Sequence, residues 1–207
     1  MTLSAKEVNE LKQAPPVEGV LPAFLHRWSP RAFAEREVSL KDLKTIFEAV
    51  RWAASSYNEQ PWRFLVGRKG DETFQKILGT LMPFNQMWAG KAAVLILGAA
   101  KTKFSHNGDP NRVALFDLGA ASSYLTVQAS VLGIYSHQMA GYDVDAARKA
   151  FGAPEDYIFG SVIALGYQGE PDTLPVEQMK QQETAPRTRK ALSEFVWSAW
   201  EKAAPQE

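Results

Sequence analysis

The residues of this sequence that could do chemistry are arginines, hydroxyls and side-chain amides, which cluster in short polar stretches. The stretch RWSPRAF places Arg27 and Arg31 on either side of Ser29. A guanidinium group forms two charge-assisted hydrogen bonds with a phosphate, so this pair suits an anionic ligand. A second pair, Arg187 and Arg189 in APRTRK, suits the same ligand. A helix entry and a basic loop with solvated charges are the alternative interpretations of the two stretches.

Three further stretches, all predicted to be loops, combine side-chain amides or small residues with aromatic residues. Amide groups donate and accept hydrogen bonds, which suits a heterocycle with alternating carbonyls and ring nitrogens. A backbone with small side chains lets a planar ligand approach closely. Ordinary polar turns explain the same stretches equally well. The candidates are Ser55, Ser56, Asn58 and Gln60 in SSYNEQPW, Asn85 in PFNQMW, and Ala140 and Gly141 in QMAGYD.

The composition and the absent motifs exclude several classes of function. The 207 residues include 23 basic and 23 acidic side chains, so an anion site must be built locally by the fold. There is no cysteine, which excludes disulfides and thiolate catalysis. The sequence contains no dinucleotide-binding or P-loop glycine motif and no nucleophile elbow. The three histidines lack metal-binding spacing, and we expect no metal site.

The sequence predicts a soluble protein in the cytoplasm. The N-terminal stretch MTLSAKEVNELKQAPP is polar and lacks the apolar segment of a signal peptide. The longest apolar run, AAVLILGAA, is too short to span a bilayer. We therefore expect no membrane and no nucleic acid among its partners.

Alternating strand and helix patterns predict the elements that must position these residues. They indicate a mixed α/β or α+β domain with a layered sheet, covering residues 1–207, of which 1–20 form an N-terminal helix and linker. The predicted strands are RFLVG, AAVLILGAA, GIYSHQM and YIFGSVIALGYQG. The later predicted helices are SLKDLKTIFEAVRWAA with Ser39 as N-cap, DETFQKILGTLM broken by Pro83, a buried helix over 109–133, DVDAARKAFG ended by Gly152, and the amphipathic tail LSEFVWSAWEKAA.

Five motifs in this order resemble the FMN-dependent nitroreductase family. They are RWSPRAF, AASSYNEQPWRF, PFNQMW, MAGYD and RTRKALSEFV, and the resemblance extends from about residue 21 to residue 200. It implies an α+β three-layer fold, with a central, mainly antiparallel sheet flanked by helices. It also implies an intertwined homodimer with FMN in clefts at the interface.

The resemblance also assigns roles to the candidate residues. It implies that Arg27, Trp28 and Ser29 form the first flavin-contacting segment, and that Arg31 lies near the pyrimidine edge of the ring. A cation there would stabilise the reduced flavin and raise its potential. Arg187 and Arg189 are implied to hold the phosphate together with Arg27. The other implied flavin contacts are Ser55, Ser56 and Asn58 in a segment lent by the partner subunit, with Gln60 beside it, Asn85 at the polar edge of the ring, and Ala140 and Gly141 passing flavin N5.

The activity that the resemblance implies is a ping-pong transfer of hydride from NAD(P)H, through flavin N5, to a nitroaromatic or quinone, with no catalytic side chain. Phe84, Trp88 and Tyr142 are candidates for lining the acceptor pocket. The sequence has Ala140 where many members have glutamate, and Trp88 where some have lysine. These departures put the substrate range in question. Alternatives are an oxygen-dependent or dehalogenating flavoenzyme, or a non-catalytic flavin-binding dimer.

Overall fold

A four-stranded antiparallel sheet forms the centre of the protein. The computed structural model describes residues 3–205, so residues 1, 2, 206 and 207 at the ends of the predicted domain lie outside the described residues. Numbered along the chain, the strands of the sheet lie in the order β1-β2-β4-β3, and each neighbouring pair is antiparallel. They are β1 (Trp62–Arg68), β2 (Val94–Lys101), β3 (Tyr135–Met139) and β4 (Tyr157–Gly166).

The apolar run of β2 occupies the middle of the sheet because both of its faces are covered. Leu95 and Leu97 pack into the cluster on one face, and Ile96 packs into the cluster on the other. This alternation follows from the two-residue period of a strand. The result is the predicted α+β fold with helices on both faces of the sheet.

Two helices have the caps that the sequence predicts. Ser39 accepts a hydrogen bond from Asp42 N, and Gly152 ends a later helix with φ 58°, which confirms both predicted caps. No helix within residues 3–205 has the length and apolar character needed to cross a membrane. The helices are α1 (Ala5–Lys12), α2 (Pro22–His26), α3 (Leu40–Arg51), α4 (Glu72–Thr80), α5 (Pro83–Ala89), α6 (Ala114–Val131), α7 (Val144–Phe151) and α8 (Glu177–Thr184).

Helix α6 is only partly buried, which corrects the prediction of a wholly buried helix over 109–133. The face with Leu118, Leu125 and Ala129 packs against the sheet. The opposite face exposes large apolar side chains, including Phe116, which is 77% exposed, and Tyr124. The single chain therefore leaves an apolar helix face uncovered.

Two segments adopt a different structure from the predicted one. PFNQMW, predicted as a loop, forms most of α5, because Pro83 occupies the first turn, where its missing N–H is harmless. The prediction of a helix over 192–204 in the tail is wrong. A 3₁₀ turn at Leu192–Glu194 leads into the short strands β5 (Trp197–Ala199) and β6 (Lys202–Ala203). A short helix without a packing partner is marginal, and residues 190–203 are exposed.

Candidate functional site

Three arginines that are predicted to bind phosphate, Arg27, Arg187 and Arg189, lie close together. Arg27 Nη1 donates to Ser29 Oγ at 3.2 Å, and Arg187 Nη1 donates to the Arg27 carbonyl at 2.7 Å. Burial lowers the pKa of the Arg27 guanidinium, and the positive charge of nearby Arg189 lowers it further. Within residues 3–205, no carboxylate forms an ion pair with any of the three. The cluster therefore has a local excess of positive charge.

The three arginines do not have equal freedom to bind an anion. Arg187 also donates to the Leu25 carbonyl, so both of its terminal nitrogens are already hydrogen-bonded to backbone carbonyls. Arg189 is exposed, and its side chain bonds only to the adjacent Thr188 carbonyl among the described residues. The geometry therefore favours Arg27 and Arg189 as the anion ligands, with Arg187 fixing the backbone that carries Arg27.

His137 on β3 contacts residues 27–32, which we call the arginine segment. Its Nδ1 lies 3.0 Å from the Pro30 carbonyl oxygen, which accepts a hydrogen bond from the ring. Burial lowers the pKa of His137 to about 4, and the charges of Arg31 and Arg27 contribute, against the opposing effect of the backbone carbonyls. The imidazole is therefore neutral at pH 7, with its proton on Nδ1. No group of three or more His, Asp or Glu side chains in the described part of the chain could hold a metal ion.

Arg31 has an unpaired donor close to His137. Its Nε is buried and has no hydrogen-bond partner among the described residues. A buried N–H without a partner is costly, so this donor fits a site completed by a polar ligand. Its predicted position near the pyrimidine edge of a flavin stays a prediction.

Asn85 on α5 and Gly141 after β3 are in direct contact. Asn85 Nδ2 donates to the Gly141 carbonyl at 2.9 Å, and Met82 N donates to the same oxygen at 3.0 Å. A Cβ atom on residue 141 would lie 2.7 Å from Asn85 Nδ2, which is too close for any real contact. A side chain at residue 141 would therefore push the Asn85 amide away from the Gly141 carbonyl, and exposed Ala140 lies beside this contact.

The loop with Ser55, Ser56, Asn58 and Gln60 is held by hydrogen bonds within the loop and with α6. Ser56 N donates to Asp117 Oδ2 at 3.2 Å, and Gln60 N donates to Ser55 Oγ at 2.9 Å. Asn58 and Gln60 have φ values of 53° and 50°, which are unusual for residues other than glycine. Among the described residues, no hydrogen bond, ion pair or ring contact joins the loop to the arginine cluster or to the Asn85 contact. Within one chain, the loop therefore makes no direct interaction of these kinds with the other predicted site residues.

Three predicted contact residues have buried side chains. Trp88, at 1% exposed, packs with its ring 4.6 Å from that of His137, and Tyr142 donates its hydroxyl proton to the Gly160 carbonyl at 2.6 Å. The prediction that Trp88 and Tyr142 line an open pocket is therefore wrong, and of that set only Phe84 is exposed. The Trp28 side chain is also buried, and its Nε1, like Arg31 Nε, has no hydrogen-bond partner among the described residues.

The sequence analysis missed two buried charged residues that hold the arginine segment, Lys12 on α1 and Glu183 on α8. The sequence stretch of α8, EQMKQQET, is polar throughout and gives no helical apolar pattern. The only signal is Met179, four residues before Glu183 and therefore on the same helix face.

Comparisons with known proteins bring this chain close to one family. Residues 25–167 match the model of the Nitroreductase family. The chain is 35% identical over 147 residues to an uncharacterised 15.4 kDa protein of Mycolicibacterium smegmatis. The aligned region covers 66% of this chain and 95% of the relative. It is 32% identical over 155 residues to an Archaeoglobus fulgidus protein named "Putative NADH dehydrogenase/NAD(P)H nitroreductase", covering 73% and 86% of the two chains.

Solved structures show the same fold. A crystal structure of an oxidoreductase containing FMN superimposes with a TM-score of 0.83 and 33% identity, over 96% of this chain and 97% of the other. A nitroreductase of Desulfovibrio desulfuricans in complex with FMN has a TM-score of 0.69 and 24% identity, over 89% and 98% of the two chains.

Proposed function

Because the chain belongs to the nitroreductase family, we propose that it binds FMN between two copies of itself and reduces electron-poor acceptors with NADH or NADPH. The observation that carries this proposal is that two features lie near the same end of one strand. His137 of β3 supports the arginine segment, and Gly141, two residues beyond the end of β3, contacts Asn85. The chain turns there, since Tyr142 N donates to the Ala140 carbonyl at 3.0 Å, so a positive cluster and a side-chain amide lie near one end of the strand, which suits a ligand with an anionic group and a polar ring.

The residues present fit both the phosphate and the ring of FMN. Arg27 and Arg189 would hold the phosphate, since they are close together and no carboxylate pairs with them in the described chain. The unpaired Arg31 Nε is a donor for a polar ring edge. Asn85 and the backbone at residues 140 and 141 would contact the ring, because the Asn85 amide is fixed against the Gly141 carbonyl and Ala140 beside it is exposed.

The exposed apolar surfaces support a homodimer. Phe116 and Tyr124 on α6, together with Phe195, Trp197 and Trp200 in the tail, are exposed in the single chain. Apolar side chains of this size are rarely left in contact with water on a monomer. A partner subunit that covers them would also bring its Ser55–Gln60 loop to a second site.

The side chains would bind, orient and stabilise charge, and none would act as a nucleophile. When bound, FMN supplies the redox chemistry, taking a hydride from NADH or NADPH and passing it to a nitroaromatic or quinone. Arg31 would place positive charge where negative charge develops during reduction. His137 stays neutral and fixes the Pro30 carbonyl, so the arginine segment keeps its orientation.

Steady-state oxidation of NADH and NADPH by the FMN-loaded protein, with and without a quinone, tests this function. We expect turnover only with the quinone, and parallel double-reciprocal plots that indicate a ping-pong order. Turnover with dioxygen alone would indicate an oxygen-dependent enzyme. Bound FMN that neither nucleotide reduces would contradict the proposed activity and favour a non-catalytic flavin-binding dimer.

A further inference from the structure

Both oxygens of the Glu183 carboxylate on α8 accept hydrogen bonds from backbone amides of the arginine segment. The side chain is only 2% exposed. Arg31 N donates to both carboxylate oxygens at 3.0 Å, and Ala32 N donates to Oε1 at 3.0 Å. Two consecutive amides are thus fixed by one carboxylate, immediately after the residues that would contact the flavin.

Lys12 at the end of α1 completes this arrangement from the opposite side. Its ammonium group is buried and donates to the Gln182 carbonyl at 3.1 Å and the Ala185 carbonyl at 2.5 Å. The same Nζ lies 4.9 Å from the centroid of the Trp28 ring. Lys12 therefore joins the end of α8 to the beginning of the arginine segment.

Each buried charge makes the other tolerable. Burial raises the pKa of the Glu183 carboxyl, while the Ala32 and Arg31 amides and the charges of Arg31 and Lys12 lower it. Burial lowers the pKa of Lys12, and the charge of Glu183 raises it. Removing one partner would leave the other charge uncompensated in a buried place, which is strongly unfavourable.

Both residues lie outside residues 25–167, the part of the chain that matches the family model. We propose that Glu183, supported by Lys12, is a positioning residue that holds segment 27–32 in the conformation that binds FMN. This inference rests on the proposed function, because it assumes that Arg27 holds the FMN phosphate. The two segments flanking the matched region would then determine how well the cofactor is retained.

The physical link from Glu183 to the cofactor is short. Its two amide partners fix the backbone at Arg31 and Ala32, and the hydroxyl of Ser29, two residues earlier, accepts from Arg27 Nη1. If the carboxylate is lost, these amides lose their acceptors and the segment can rotate. The Arg27 guanidinium then loses its fixed direction, and this affects a phosphate more than an uncharged ligand.

A double-mutant cycle on FMN affinity tests the proposal. The dissociation constant for FMN is measured by flavin fluorescence for the wild type, Glu183→Gln, Lys12→Met, Arg27→Ala and the double variant Glu183→Gln/Arg27→Ala. Glu183→Gln keeps an acceptor oxygen and the side-chain volume but removes the charge, so it perturbs packing less than a truncation. The free energy of unfolding in urea is measured for every variant, which separates lost FMN affinity from lost folding. The matched controls are Glu177→Gln on the exposed face of α8 and Lys6→Met on α1.

We expect Glu183→Gln and Lys12→Met to weaken FMN binding about tenfold, as for loss of a charged hydrogen-bond partner, with both controls unchanged. In the Arg27→Ala background the same Glu183→Gln change should alter affinity by less than about twofold, because the two residues act through one phosphate contact. Equal losses in both backgrounds, or wild-type affinity in Glu183→Gln, would overturn the proposal. Failure of the wild type to bind FMN would instead overturn the proposed function.

Discussion

Protonation of His137 should destabilise the fold at mildly acidic pH. The ring is partly buried, donates from Nδ1 to the Pro30 carbonyl, and lies close to the charges of Arg31 and Arg27. These surroundings lower its pKa from 6.5 to about 4. The unfolded chain therefore binds a proton between these two pH values, and the folded chain does not.

The sign and size of the effect follow from this difference. Because the unfolded state binds more protons, stability is fully present above pH 6.5 and falls as the pH decreases towards 4. The loss from His137 alone is about 2 kcal/mol at pH 5 and about 3 kcal/mol at pH 4. This is a large share of the stability of a typical domain.

Urea unfolding of the wild type and of His137→Gln, at about pH 7.5 and about pH 5, isolates this contribution. Glutamine does not titrate and can still donate to the Pro30 carbonyl. Other groups that titrate between these pH values affect both proteins equally and cancel in the difference. We expect the advantage of the wild type over His137→Gln to shrink by about 2 kcal/mol between the two pH values. A difference that stays constant with pH would refute the assigned neutral, buried state of His137.

Three further changes test other parts of the account. Arg189→Ala should weaken FMN binding by about 1–3 kcal/mol in a fluorescence titration, whereas Lys190→Ala at the adjacent position should have little effect. Unchanged FMN affinity in Arg189→Ala would mean that this arginine does not hold the phosphate. Gly141→Ala should lower the free energy of unfolding by about 1 kcal/mol, because its Cβ would displace the Asn85 amide from the Gly141 carbonyl, whereas Gly79→Ala, whose Cβ meets nothing within 4 Å, should not lower it. A free energy of unfolding in Gly141→Ala equal to that of the wild type would refute this contact. Phe116→Glu should convert a dimer to monomers in sedimentation, and a wild type that sediments as a monomer would remove the shared site.

The sequence predicts those elements whose determinants are local. The apolar run of β2, the Ser39 cap and the left-handed Gly152 each depend on residues within a few positions, and each is confirmed. The conformation of the tail over 192–204 does not depend on local residues alone. Its apolar spacing predicts which side chains would share a helix face, but it does not indicate which element packs against that face. Pro83 was interpreted only as a helix breaker, although proline is also favoured in a first turn.

The candidate site divides in the same way. Arg27, Arg187 and Arg189 come together across 160 residues of sequence, as the family resemblance implies, and so do Asn85 and Gly141. Nothing in the sequence indicates that Arg187 would hold backbone. The roles of Glu183 and Lys12 depend on two helices meeting behind the arginine segment, and a polar helix such as α8 carries no pattern that reveals its buried face.

The most direct test of the central claim is to identify what the purified protein binds. Denaturing the protein and analysing the released chromophore by absorbance and mass spectrometry gives both its identity and its ratio to protein. The account predicts a yellow protein that releases one FMN per chain, or a colourless one that takes up added FMN in that ratio. A protein that is colourless and binds no added FMN would contradict it.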